Sequence, residues 1–181
     1  MNKNPSLPKI PGRDEEHEFE FGAGGRDKVG LVQIGYPTVF GENKAILIKC
    51  NRLQKLPNGL LRLFRDQRFQ YTGVRVTVDV RTIGSDFGTR DITDKMRCLE
   101  LGQLAKGYGV VSDAQAGLQK LVLKLFNEHM QKDNNVRCGR WNADDYDVQQ
   151  MKYVALDATK SLEVAQQLLA MENKNARLSP E

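Results

Sequence analysis

The sequence is poor in the side chains from which soft-metal and redox centres are built. Three cysteines, Cys50, Cys98 and Cys138, and two histidines, His17 and His129, are spread over 181 residues. No two cysteines form a CxxC pair and the histidines share no ligand spacing. Neither a disulfide framework, a zinc site nor a His-metal centre is indicated. The thiols are expected to be free and buried, as in a reducing compartment. Long apolar runs are also missing. The longest aliphatic stretch lies at Ala45-Ile46-Leu47-Ile48, far below the roughly 20 residues of a membrane helix. Met1-Asn2-Lys3-Asn4-Pro5 has no apolar core behind it, so no secretory signal is expected there. What is present is ordinary for one intracellular globular domain, nuclear or cytoplasmic: 40% hydrophobic and 28% charged residues. That balance excludes a disordered or fibrous chain. Lysine and arginine exceed aspartate and glutamate by 27 − 23 = +4. Such a charge tolerates a polyanionic partner without demanding one.

Residues 1–13 carry three prolines and read as a loose arm. The acidic run Asp14-Glu15-Glu16-His17-Glu18-Phe19-Glu20-Phe21 follows. From Glu16 to Phe21 carboxylates alternate with other side chains, which predicts a strand with one acidic face. Further strands are expected at 29–36 and 44–50, completing an antiparallel meander. A helix is expected at 59–69. A fourth strand is expected at 72–78, with Val74, Val76 and Val78 on one side and Asp79 at its end. Helices then follow at 80–87, 98–107, 114–130 and 147–172, ahead of a polar tail, 173–181. The order implies an α/β layered domain over 14–172.

The sharpest chemical pattern lies late in the chain. Tyr153 and Asp157 are four residues apart, so on a helix they share a face. A phenol and a carboxylate held that way can position a water beside a metal ion. The same spacing also suits a Tyr153 that merely packs on Trp141 beside a solvated Asp157. Gly22-Ala23-Gly24-Gly25 lacks the spacing of a phosphate-binding loop and reads as a turn.

Trp141, Gln150, Tyr153, Asp157 and Ala158 together resemble the third motif of the DEDDy 3′-5′ exonucleases, in the ribonuclease D and Werner-syndrome exonuclease branch. Gly73-Val74-Arg75-Val76-Thr77-Val78-Asp79, continuing to Asp86-Phe87-Gly88, is similar to the second motif. Residues 101–109 resemble the segment after it, and Val29-Gly30-Leu31-Val32-Gln33-Ile34 the strand that follows the first motif. The likeness spans roughly residues 14–170.

The resemblance implies a ribonuclease H-like mixed β-sheet flanked by helices. It also implies a metal-dependent 3′-5′ exonuclease acting on single-stranded RNA or DNA. Two Mg²⁺ or Mn²⁺ ions, about 3.5–4 Å apart, would be held by carboxylates. The expected ligands are Asp14, Glu16, Asp79 and Asp157, with Asp79, Asp157 and Tyr153 the catalytic group. Arg75, Arg81, Arg137 and Arg140 are the expected nucleic-acid contacts. The first motif has two registers. Glu16 stands thirteen residues before Val29, as the family requires, but Asp14 follows Lys9-Ile10-Pro11-Gly12-Arg13, a poor strand. The alternating segment offers Glu18 and Glu20 instead. If neither register supplies ligands, the chain is a catalytically inactive module of the same fold that binds nucleic acid or a protein partner. An acidic edge strand also leaves a homodimer open. The start so close to the first motif suggests a domain excised from a longer chain.

Overall fold

A computed structural model describes residues 28–130 and 145–171 in full, and residues 13–16 and 172–178 as backbone. Strand β1 (Arg13–Glu16) pairs antiparallel with β2 (Leu31–Pro37), and β2 pairs antiparallel with β3 (Asn43–Lys49). A three-stranded meander is therefore present, but its first strand is Arg13–Glu16 and not the expected 16–21; residues 17–21 lie outside the described residues. Its central strand is buried on both faces, because Leu31-Val32-Gln33-Ile34-Gly35 is covered throughout. Alternation sends Val32 and Ile34 to one side and Leu31 to the other.

Val32 and Ile34 enter a core with Phe64 of α1 (Asn58–Arg65), Val80 and Ile83 of α2 (Val76–Asp86) and Ile92 of α3 (Ile92–Lys95). Each such aliphatic side chain contributes about 1.5–3 kcal/mol by leaving water. Tyr71, in β4 (Gln70–Gly73), meets Phe64 edge to face at 5.9 Å, and its hydroxyl donates to Leu63 O at 2.8 Å. Leu31, on the other face, packs against Val154 of the long helix α6 (Val148–Leu178). Strand β4 pairs parallel with β5 (Arg97–Glu100), and α2 with α3 makes the crossover that parallel strands need. Strand β4 also touches β1, although β4 and β5 form a separate two-stranded sheet.

A second core joins α4 (Leu101–Gly107), α5 (Leu118–Phe126) and α6 through Leu101, Ala105, Leu121, Val164 and Leu168. Gly102 is required there, since a Cβ at that position would overlap Ala114 O. No helix among the described residues is long and apolar enough to cross a membrane. Cys50 is buried and Cys98 half-buried; Cys138 lies outside the described residues.

Several expectations need correction. Strand β4 stops at Gly73 instead of running to residue 78, and Val76 to Val80 is helical. The alternating valines imitate a strand, but Arg75 takes a left-handed backbone (φ 62°, ψ 23°) that turns the chain. Beyond it, Val76, Val80, Ile83 and Phe87 are spaced by four, three and four residues, and all are buried. Burial on that helical stripe outweighs the rotamer restriction of β-branched residues. The glutamate Glu100 also supports the helix start, its Oε1 accepting from Thr77 N at 2.9 Å. Residues 98–107 begin as β5 before becoming α4. The helices expected at 59–69 and 114–130 are shorter, Asn58–Arg65 and Leu118–Phe126; Asn127, at φ 55°, ends the second.

Helix α6 runs on to Leu178, beyond the expected limit at 172. Its start is fixed by a reciprocal cap. Asp147 Oδ1 accepts from Gln150 N at 2.7 Å, and Gln150 Oε1 accepts from Asp147 N at 3.0 Å. Gln150, read above as part of a functional motif, thus has a structural task. Asp147→Ala is expected to lower stability by about 1 kcal/mol. In a thermal melt that is a fall in Tm of about 2–4 °C; an unchanged Tm would mean that packing alone sets where α6 begins.

Candidate active site

Helix α6 buries Val154, Ala158, Ser161 and Leu162, which follow one another at helical spacing. Tyr153 and Asp157 flank that stripe and are half-buried. Tyr153 packs against the cluster of Leu31 and Val154, which Leu47 and Tyr146 also cover, while its hydroxyl donates to the Asp157 carboxylate. Burial pushes the Asp157 pKa up to about 6, and the tyrosine hydrogen bond only partly opposes it. Among the described residues no cation contributes to that balance. Lys160, three residues on, is held by Glu128 at 2.7 Å and Glu163 at 2.8 Å.

Asp79 approaches from a different element than expected. It sits one turn into α2, not at a strand end, and is only 8% exposed. Helix α2 is tied at both ends: Glu100 accepts from Thr77 N, and Asp86 Oδ2 accepts from Val29 N at 2.8 Å. Those anchors fix Asp79 relative to β5 and to the approach of β2.

Strand β1 links the two helices. Its register pairs Asp14 with Gln33 and Glu16 with Leu31, and it touches α2, β4 and α6. Leu31 in turn packs on Val154, the neighbour of Tyr153. The backbone carrying Asp14 and Glu16 therefore lies against both the helix of Asp79 and the helix of Tyr153 and Asp157. The objection raised by Pro11 and Gly12 does not hold, because the strand begins immediately after them and needs only four residues to join β2. The side chains of Asp14 and Glu16, and all of Glu18 and Glu20, lie outside the described residues. Among the described residues no three of His, Cys, Asp and Glu gather tightly enough to hold a metal ion. The described oxygen donors at the site are Asp79, Asp157 and Tyr153.

The expected nucleic-acid contacts fare unevenly. Arg75 is exposed at the turn into α2. Arg81 is exposed too, but two residues from Asp79 on a helix means about 200° around the axis, so the two are not brought together. Arg137, Arg140 and Trp141 lie outside the described residues. Two contributors were missed. Glu100 was assigned to a helix, which hid its capping role. Gln33 is a buried amide in the otherwise apolar run Leu31-Val32-Gln33-Ile34, and that interruption was the available signal.

Comparison with known proteins bears on the fold of the chain. No family model matches the chain. It is 24% identical over 159 residues to a 3′-5′ exonuclease of Drosophila willistoni, covering 87% of this chain and 43% of that protein. It is 26% identical over 168 residues to the mouse bifunctional 3′-5′ exonuclease/ATP-dependent helicase WRN, covering 88% of this chain and 11% of that protein. The chain thus spans less than half the length of these curated relatives. Among solved structures, Brucella melitensis NrnC superposes with a TM-score of 0.72 at 19% identity, over 94% of this chain and 76% of NrnC. Escherichia coli RNase D gives 0.67 at 17% identity, over 90% and 39% of the two chains. NrnC structures with Mg²⁺ and with pGG are similar as well. The chain resembles the DEDD-type 3′-5′ exonucleases and has their ribonuclease H-like α/β fold.

The environment of Asp157 makes a pH-dependent prediction. A carboxyl whose pKa rises from 3.8 to about 6 on folding is held in its neutral form. Its favourable contribution is complete below about pH 3.8 and is lost as pH rises through about 6. In EDTA at pH 8, Asp157→Asn is therefore expected to melt above wild type, by up to about 2–3 kcal/mol of stability. The difference should vanish near pH 4. Wild type and variant melting alike at pH 8 would contradict it.

Proposed function

We propose that the chain is a metal-dependent 3′-5′ exonuclease that removes nucleotides from the 3′ end of single-stranded RNA or DNA. The observation that supports it most is the position of β1, whose Asp14 and Glu16 backbone lies against both α2 and α6. A buried Asp79 and an Asp157 whose charge is disfavoured by burial suit hard divalent cations, which take oxygen ligands and relieve carboxylate repulsion. In this reading Asp14, Glu16, Asp79 and Asp157 hold two Mg²⁺ or Mn²⁺ ions. Bound there, such ions activate a water and stabilise the departing 3′ oxygen.

The chain's own groups do the rest. The Tyr153 hydroxyl, anchored on Asp157, orients the attacking water. Its ring, packed against the Leu31 and Val154 cluster, keeps that hydroxyl from swinging away. Asp157 must lose its proton to act as a ligand, so activity should rise with pH through the region near 6. In this reading Arg75, exposed at the turn into α2, meets a phosphate, as do Arg137 and Arg140. The relatives' names and the Mg²⁺-bound and pGG-bound neighbour structures support the same chemistry for this chain.

The test is digestion of 5′-labelled single-stranded RNA and DNA in Mn²⁺, Mg²⁺ or EDTA. The expected result is a ladder shortening from the 3′ end, abolished by EDTA and by Asp79→Asn, with Tyr153→Phe slower by about 10²-fold from a misplaced nucleophile. The substrate that shortens identifies RNA or DNA. No ladder in either metal, with binding retained in a gel shift, would overturn the proposal in favour of an inactive nucleic-acid-binding module.

A further inference from the structure

Gln33 is the only polar side chain in the buried run of β2, and it is fully buried. Among the described residues neither its Nε2 nor its Oε1 has a hydrogen-bond partner. Leaving a buried polar atom unpaired costs roughly 1–3 kcal/mol, and a methionine would fill similar space without that cost. The amide is thus unfavourable for folding where it stands.

Its surroundings show where a use could lie. Gln33 shares a face with Leu31, the face covered by α6, while Val32 and Ile34 line the opposite core. Thr72 repeats the pattern on β4. Tyr71 enters the first core, so its neighbour Thr72 lies on the other face, with a buried hydroxyl that also lacks a partner among the described residues. The two strands bearing these groups both touch β1. Across the ladder, Gln33 is paired with Asp14. Directly paired residues of an antiparallel ladder carry their Cβ atoms about 4.5–5.5 Å apart, a separation that a glutamine amide spans easily.

We propose that Gln33 is a positioning residue: in the cation-loaded site its amide N–H donates to the Asp14 carboxylate and fixes that ligand's orientation. The proposal rests on the metal-dependent reading above. Outer-shell donors of this kind orient ligating carboxylates. An amide does so without neutralising the charge that attracts the cation, as a lysine or arginine would. The arrangement also explains why a central strand keeps an amide that weakens its own packing.

Titration of the whole chain with Mn²⁺, combined with melts in EDTA, tests this with Gln33→Met. The expected variant binds Mn²⁺ about 10–100-fold more weakly than wild type, while its Tm in EDTA is equal or higher. Raising Mn²⁺ should restore its nuclease activity. A Gln33→Met protein that binds Mn²⁺ as tightly as wild type overturns the proposal and leaves the metal-dependent reading intact. One that melts well below wild type in EDTA also overturns it, because the amide then serves the fold. A wild type that binds no Mn²⁺ overturns the metal-dependent reading itself.

Discussion

Carboxylates resist being gathered where water is scarce, and the proposed site depends on elements around β1 that work against that resistance. Asp79 is buried, and the charge on Asp157 is disfavoured by the apolar face of α6 beside it. Neither helix would hold its carboxylate in place unaided. Helix α2 is pinned by Glu100 at one end and by Val29 at the other. Helix α6 is fixed in phase by the Asp147–Gln150 cap and pressed onto β2 by Val154 against Leu31. The strand between them is short, but it pairs with β2 and touches β4. Rigid elements on three sides are what a site of converging like charges needs.

The two hydrophobic cores divide this labour. The first seats α1, α2 and α3 on one side of the strands and so sets the position of Asp79. The second binds α4 and α5 to the distal part of α6, leaving its early turns to lie over β2 and β3. Tyr153 and Asp157 occur in those early turns. Two buried polar residues of the strands, Gln33 and Thr72, lie on that same face. Gln33 and Thr72 stand there as apparent defects of packing, and departures from local consistency of this kind cluster where function overrides stability.

What the sequence disclosed follows from which forces act locally. Strands β2 and β3 were legible because their apolar content is continuous and bounded by turn residues. Helix α6 was legible because its apolar stripe is long. Strand β4 and helix α2 were not separable by pattern, since Val74, Val76 and Val78 alternate across a junction created by the backbone of Arg75 and by a carboxylate from β5. Both are tertiary facts. Asp79 was singled out through family resemblance, and its setting on a helix was not foreseen. Strand β1 was obscured because it depends on pairing with β2, not on the propensity of Arg13-Asp14-Glu15-Glu16. Arg81 illustrates the converse: closeness in sequence to Asp79 placed it on the wrong side of a helix.

In the proposed site, β1 supplies the carboxylates that complete a cation site with Asp79 and Asp157. Crystals grown with Mn²⁺ and measured for its anomalous scattering would locate that cation. The expected result is a Mn²⁺ peak bounded by Asp79 and Asp157 together with Asp14, Glu16 or both. A peak ligated instead by Glu18 or Glu20, or the absence of any peak at this junction, would contradict it.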